Sequence, residues 1–175
     1  MASSDSSQLV LARSVATLGL GAATGLMLSI PLWILPAHEA APISAKDRVH
    51  LWSKVYDQGK ASALTLFPLC TLLFAGSAYN ARAPELYLPA TFIARNRKII
   101  LSLCSALSAS VIGYTVAFLM PGIKALKEAE SSLSGGGKPT FSTDEAIARW
   151  GRLHLVRLGF AATGFALAVA ELGSA

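Results

Sequence analysis

Three stretches of this chain run for more than twenty residues without a charged side chain: Ser14–Ala37, Ala61–Ala81 and Ile99–Ile123. A helix rising 1.5 Å per residue crosses the hydrocarbon core of a bilayer in about 20 residues, so each run is long enough to span. In lipid every backbone N–H and C=O must be satisfied within the protein, which admits only helices and closed barrels. The runs show no two-residue alternation and far exceed the roughly 10 residues of a barrel strand, which leaves helices. Charged residues make up only 14% of the chain, against about 25% in a typical soluble domain. The sequence therefore reads as all-α, an integral membrane four-helix bundle with antiparallel transmembrane helices. They are expected at about 9–35, 52–79, 97–120 and 143–172, forming one domain over 9–175 behind a disordered tail at 1–8. Four spans place both termini on the same side of the membrane.

Local signals refine this outline. Gly21 and Gly25 stand four apart on the first helix, a spacing that lets a neighbouring helix approach closely. Pro31 is expected to kink or end that helix and Pro36 to close it, and Pro121 with Gly122 to break the third. Pro84 and Pro89 fall in the loop between the second and third helices. "STDEA" offers Ser142 or Thr143 as a cap, with acids in the first turn of the last helix. The first apolar region is longer than the 7–15 residues of a signal peptide, and "ILPAHEAAP" lacks a clean A-x-A site, so it reads as a retained anchor.

Several function classes find no support. The net charge of +5 comes from Lys and Arg that flank the helices, as in membrane proteins generally, so it does not signal nucleic acid. No phosphate-binding or dinucleotide glycine motif and no zinc spacing is present. Cys70 and Cys104 fall inside predicted helices and read as small buried hydrophobes. Ten of the 15 Lys and Arg fall on the side of the first and third loops, which leans that side toward the cytosol. The organelle is not encoded; the endoplasmic reticulum fits a eukaryotic source. Nor does the sequence set an oligomeric state.

The fourth apolar run, Leu158–Ala170, has only 13 residues. A full span ending near Glu171 must begin near Gly151, which draws His154 and Arg157 below the headgroups. Charge there costs about 2.5–3.5 kcal/mol at the bilayer centre and less toward the interface. Trp150, His154 and Arg157 follow at i, i+4 and i+7, and the same face continues through Ala161, Gly164 and Ala168. Small residues mark a face packed on other helices, so the polar trio is expected to point into the bundle. Arg149 and Arg152 lie off it as interfacial anchors. Snorkelling of Arg157 to the headgroups is the alternative. On the same membrane side the second helix supplies Trp52, Tyr56, Asp57 and Lys60, with Tyr56, Lys60, Ala63 and Phe67 on one face. Asp57 is the expected partner of Arg157. Tyr114, near the end of the third helix, reaches the same side, and Trp33 and Trp52 read as members of an interfacial aromatic belt.

At these residues the chain resembles a known family. "RWGRLHLVR" is similar to the last-helix signature of the anthrone oxygenase-like small four-span membrane proteins. "WSKVYDQGKASA", "YTVAFLMPGIKAL" and "SIPLWILP" resemble, more loosely, its second-helix entry and the ends of its third and first helices. The family often has Thr-Asn after the third-helix proline, where this chain has Gly122 and Ile123. The resemblance implies a monooxygenase of polyketide secondary metabolism that oxidises an anthrone to an anthraquinone with O2, without a cofactor. Its partners are then a flat hydrophobic substrate, O2 and the bilayer. On that basis His154 is the expected base, Arg157 or Lys60 stabilises the developing oxyanion, and Asp57 orients His154 or balances Arg157. Trp150, Tyr56 and Tyr114 form the aromatic slot. Two rival readings stand beside this one. One is a metal or haem site drawn from His38, Glu39, His50 and His154. The other is a non-catalytic scaffold with Arg157–Asp57 as a structural lock.

Overall fold

The computed structural model describes residues 7–81 and 91–174. Four long helices account for most of it: α1 (Ser7–Ala40), α2 (Ala45–Asn80), α3 (Arg97–Ser134) and α4 (Thr143–Leu172), with one extra helical turn at Phe92–Arg95. All four are long and apolar enough to cross a membrane. Only 22–28% of each most apolar window is buried inside the bundle, so the remaining apolar surface faces outward, where lipid rather than water must solvate it. Leu18, Leu72, Val116 and Phe118 are examples, each at least 60% exposed. The chain is a multi-pass membrane protein with an all-α bundle fold. The expected tail falls mostly on residues 1–6, and the loop prolines Pro84 and Pro89 fall on 82–90; both stretches lie outside the described residues, while Ser7 and Gln8 are already helical.

Each helix packs on its neighbours in sequence, and α4 closes onto α1. The direction of each helix is fixed by ion pairs. The start of α2 meets the start of α4 through Arg48 Nε and Asp144 Oδ1 at 3.4 Å. The start of α1 meets the end of α4 through Arg13 and Glu171 at 3.1 Å, and the start of α3 joins them through Arg97 at 2.8 Å. So α2 and α4 are parallel, diagonal across the bundle, and both begin at the end that carries the α1–α2 and α3–α4 connections, here called the loop end.

The helices are longer than the apolar runs suggest. Pro36 does not close α1 and Pro121 does not break α3. In both, a π-helical turn takes up the residue register around the proline: Ile30–Ile34 contains Pro31, and Thr115–Leu119 precedes Pro121. A π turn closes its hydrogen bonds over five residues, as Leu35 N–H to Ile30 O and Met120 N–H to Thr115 O do here. Pro36 and Pro121 then sit in the first turn of the resumed helix, where a missing N–H costs nothing. α2 begins seven residues before Trp52, because Ser44 caps it by accepting from Asp47 N–H. The first connection therefore shrinks to Ala41–Ser44. Gly135 and Gly136, the latter at φ +81°, end α3. Ser142 caps α4 through Glu145 N–H.

The core is divided along its length. One apolar cluster around Leu20, Phe67, Phe74, Leu101 and Cys104 fills the half toward Glu171. A second, around Val49, Trp52, Leu126, Ile147 and Trp150, fills the loop end. Trp52 is only 2% exposed, so it is a core residue rather than part of a belt, whereas Trp33 is 70% exposed. Close approach depends on glycine at two places. A Cβ on Gly21 would sit 2.7 Å from the Phe165 ring, and one on Gly151 would sit 2.6 Å from Leu35 Cδ1; one on Gly164 would make ordinary contacts at 3.4 Å with Leu107 and Leu20, and Gly25 has open space.

Polar contacts close both ends. At the loop end Lys127 bridges Asp57 at 2.7 Å, and Glu130 accepts from His50 at 2.9 Å. At the other end Glu171, 1% exposed, joins Arg13 and Arg97. Breaking a buried pair costs far more than breaking an exposed one. Glu171→Ala is expected to cost about 3–5 kcal/mol. Asp57→Ala, whose carboxylate is 55% exposed, is expected to cost no more than about 1 kcal/mol. Reversible unfolding of the two variants in detergent checks the ranking.

Candidate functional site

Between the two apolar clusters the four helices part around a cavity of about 350 Å³. Its walls include Met27 and Ile30 of α1, Tyr56, Lys60 and Phe67 of α2, Thr115 and Val116 of α3, and Trp150 and Arg157 of α4. Both π turns contribute to the wall, through Ile30 and Ile34 on one side and Thr115 and Val116 on the other. The volume is at the lower end of the roughly 300–1,000 Å³ of small-molecule sites, and the lining follows their usual pattern of apolar walls with a few polar groups.

The face of α4 that carries Trp150, His154, Arg157, Ala161, Gly164 and Ala168 does turn inward. All but Arg157 are buried, and Arg157 is partly so. Arg157 holds a defined pose. Its Nη2 donates to His154 Nδ1 at 2.7 Å, and its Nη1 donates to Thr115 Oγ1 at 3.1 Å. The Thr115 hydroxyl in turn donates a hydrogen bond to Val111 O at 2.6 Å. No carboxylate pairs with Arg157 among the described residues. A guanidinium has five N–H donors, so two engaged donors leave others for a ligand.

His154 is fully buried, and its tautomer follows from its partners. Nε2 lies 2.9 Å from Met27 O, a group that only accepts, so Nε2 carries the proton. Nδ1 faces Arg157, which only donates, so Nδ1 offers its lone pair. Met27 O has a reason to be available: its i+4 residue is Pro31, which has no N–H to give. The proline in α1 thus frees a carbonyl that α4 captures through His154. Trp150 backs the imidazole with ring centroids 5.5 Å apart.

This geometry redistributes the residues singled out in the sequence. Arg157, Tyr56, Lys60 and Trp150 are brought together at the cavity. His154 lies behind Arg157 instead of lining the cavity, and neither of its ring nitrogens is free to take a proton from a ligand. Asp57 does not meet Arg157. It turns outward to Lys127, which also donates to Ser53. Tyr114 packs on Phe118 and Phe160, with ring centroids 4.8 and 5.8 Å away, and is not in the cavity wall. Tyr56 stacks on Trp52 at 5.6 Å, and Trp52 meets Trp150 edge-on at 5.7 Å, which firms the loop-end wall. Gly122 and Ile123 lie outside the cavity wall, and Ile123 is buried in the loop-end cluster. The histidines do not converge: His38 bonds Arg48 O, His50 bonds Glu130 and His154 bonds Met27 O. Among the described residues no group of three His, Cys, Asp or Glu is placed to hold a metal.

Thr115 and the Met27 carbonyl were not singled out in the sequence. Pro31 four residues after Met27 is a legible sign of an unpaired carbonyl, but nothing in the sequence says which helix will use it. Thr115 has no sequence signal of its own.

The family model described as "Anthrone oxygenase" matches residues 52–167. No curated protein and no solved structure matches the chain.

The network predicts a spectroscopic signature. In 15N-histidine spectra of the detergent-solubilised protein, His154 is expected as a single neutral Nε2–H tautomer. In Pro31→Ala, where residue 31 gains an N–H that competes for Met27 O, the resonance is expected to shift toward a mixture of tautomers. A charged or Nδ1–H His154 in the unaltered protein contradicts the assignment.

Proposed function

The chain belongs to the anthrone oxygenase family, and from that premise we propose that its cavity binds a flat anthrone-type aromatic and oxidises it to a quinone with O2. The observation that carries the reading is a guanidinium with unspent donors and, among the described residues, no carboxylate partner, held in the wall of an apolar cavity. The chemistry asks for little else. An anthrone has a methylene between two aromatic rings and opposite a ketone, so loss of a methylene proton spreads charge onto the ketone oxygen. Arg157 stabilises that enolate, and in a low-dielectric site a fixed cation acts far more strongly than in water.

Water at the cavity mouth takes the proton. The enolate carbon gives one electron to O2, and the resulting carbon radical and superoxide couple to a C–O bond. The peroxide takes a proton. Loss of the second C–H proton with cleavage of the O–O bond expels hydroxide and leaves a C=O. The sum is anthrone plus O2 giving quinone plus water, and every electron comes from the substrate. The aromatic wall of Tyr56 and Trp150 favours a planar ligand. A ligand of this kind partitions into the bilayer, and Leu26, Leu64 and Val116 of the wall are each more than half exposed on the lipid side.

In this reading His154 is a positioning residue. Its lone pair and its ring set the direction of Arg157, so a side chain that both accepts and donates can replace it. Arg157→Met is expected to lower kcat by about 10²–10³ over the air-oxidation background, the usual effect of losing an oxyanion donor. His154→Gln keeps an acceptor and a donor without a titratable ring and is expected to stay within about tenfold of the unaltered protein, whereas His154→Ala falls further. Anthrone turnover in membranes, with each variant checked for folding by thermal unfolding, is the measurement. Full activity in Arg157→Met overturns the role of the guanidinium. Equal loss in His154→Gln and His154→Ala restores the imidazole as base.

A further inference from the structure

Arg157 is not the only cation on the cavity wall. Lys60 lines it from α2, and the lining contains no Asp or Glu. Asp57, one turn earlier on the same helix, is engaged by Lys127 at 2.7 Å. Among the described residues Lys60 makes no hydrogen bond or ion pair.

The two cations stand at the same depth on opposite walls. Trp52 of α2 and Trp150 of α4 touch at 5.7 Å between centroids, and the two helices run in parallel. Lys60 lies eight residues beyond Trp52 and Arg157 seven beyond Trp150, so both are about 11–12 Å farther along, level within about one residue. Their settings differ. Arg157 is anchored by Thr115 and His154, while Lys60 is exposed at the rim beside Gly59 and Leu64. One cation is fixed where charge develops, and the other is free at the opposite edge.

A neutral polycycle gives Lys60 nothing to bind, and the desolvation of a rim ammonium by an apolar ligand is a cost. A ligand with an acidic oxygen at the edge away from the reacting carbonyl turns that cost into an ion pair in a poorly hydrated site. We propose that Lys60 is a specificity-determining residue, and that the preferred substrates are flat polycyclic aromatics bearing a carboxylate or an ionised phenol on the edge opposite the ketone that faces Arg157. The proposal rests on the reading of the cavity as the substrate site.

The test pairs two ligands with three proteins in phosphatidylcholine nanodiscs, so that no anionic lipid competes. Binding is read first, by quenching of tryptophan fluorescence with anthraquinone-2-carboxylate and with 2-methylanthraquinone, neither of which can be oxidised at the reacting carbon. The unaltered protein is expected to prefer the acid by about tenfold or more, the scale of one charge-assisted hydrogen bond. Lys60→Met is expected to erase that preference and Lys60→Arg to keep it. Turnover of 1,8-dihydroxyanthrone and of its 3-carboxylic acid is read second. The loss in Lys60→Met is expected to appear in KM for the acid, at least tenfold larger than any loss for the neutral congener. Absence of acid preference in the unaltered protein, or its survival in Lys60→Met, overturns the proposal. Acid-selective binding without turnover of either anthrone sinks the oxygenase reading and leaves the assignment of Lys60 standing.

Discussion

A guanidinium inside a lipid-facing bundle, with no carboxylate among the described residues to balance it, is the constraint around which this structure is arranged. An isolated buried cation is unstable unless its donors are met. Here the partners are neutral: the lone pair of His154 and the hydroxyl of Thr115. Each of those is fixed in turn by a backbone carbonyl, Met27 O for the imidazole and Val111 O for the threonine. The hydrogen-bonded chain therefore ties α1, α3 and α4 together across the middle of the bundle, and it supports Arg157 without neutralising it. A carboxylate in the same place would have lowered the cost of burial and cancelled the field that an anionic ligand feels.

The far end of the bundle solves the same problem in the opposite way. Arg13 and Arg97 close on Glu171, which is only 1% exposed. That cluster links the starts of α1 and α3 to the end of α4 and fixes helix direction. The contrast separates two uses of buried charge in one small chain. The scaffold-lock reading placed the structural ion pair at Arg157 and Asp57; the structure puts a buried cluster at Glu171 and leaves an exposed Asp57 on the half-buried Lys127.

Proline has a different role here than simple helix punctuation suggests. Pro31 lies within one π turn and Pro121 follows another, and the helices continue through them to end only at Ala40 and Ser134. The displaced hydrogen bonds are not wasted. Pro31 leaves Met27 O open for His154, and both π turns face the cavity. Neighbouring helices re-satisfy backbone groups that proline frees, which is why membrane helices tolerate it.

Much of this was legible in the order of residues. Three uncharged runs longer than a bilayer is thick, and a shorter fourth that must draw polar residues into the span, mark four helices. The i, i+4, i+7 spacing of Trp150, His154 and Arg157, followed by Ala161, Gly164 and Ala168, fixes which face of α4 turns inward. Both follow from helix geometry and the cost of polar groups in lipid, which act within one segment. What the residue order did not carry is pairing between segments. That Asp57 goes to Lys127, that His154 spends both nitrogens, that Thr115 holds Arg157 and that Glu171 gathers two arginines depend on how the helices are rotated and staggered against each other. Those are decided by shape, by glycine contacts such as Gly21 against Phe165, and by a carbonyl that becomes a partner only once α4 lies beside it.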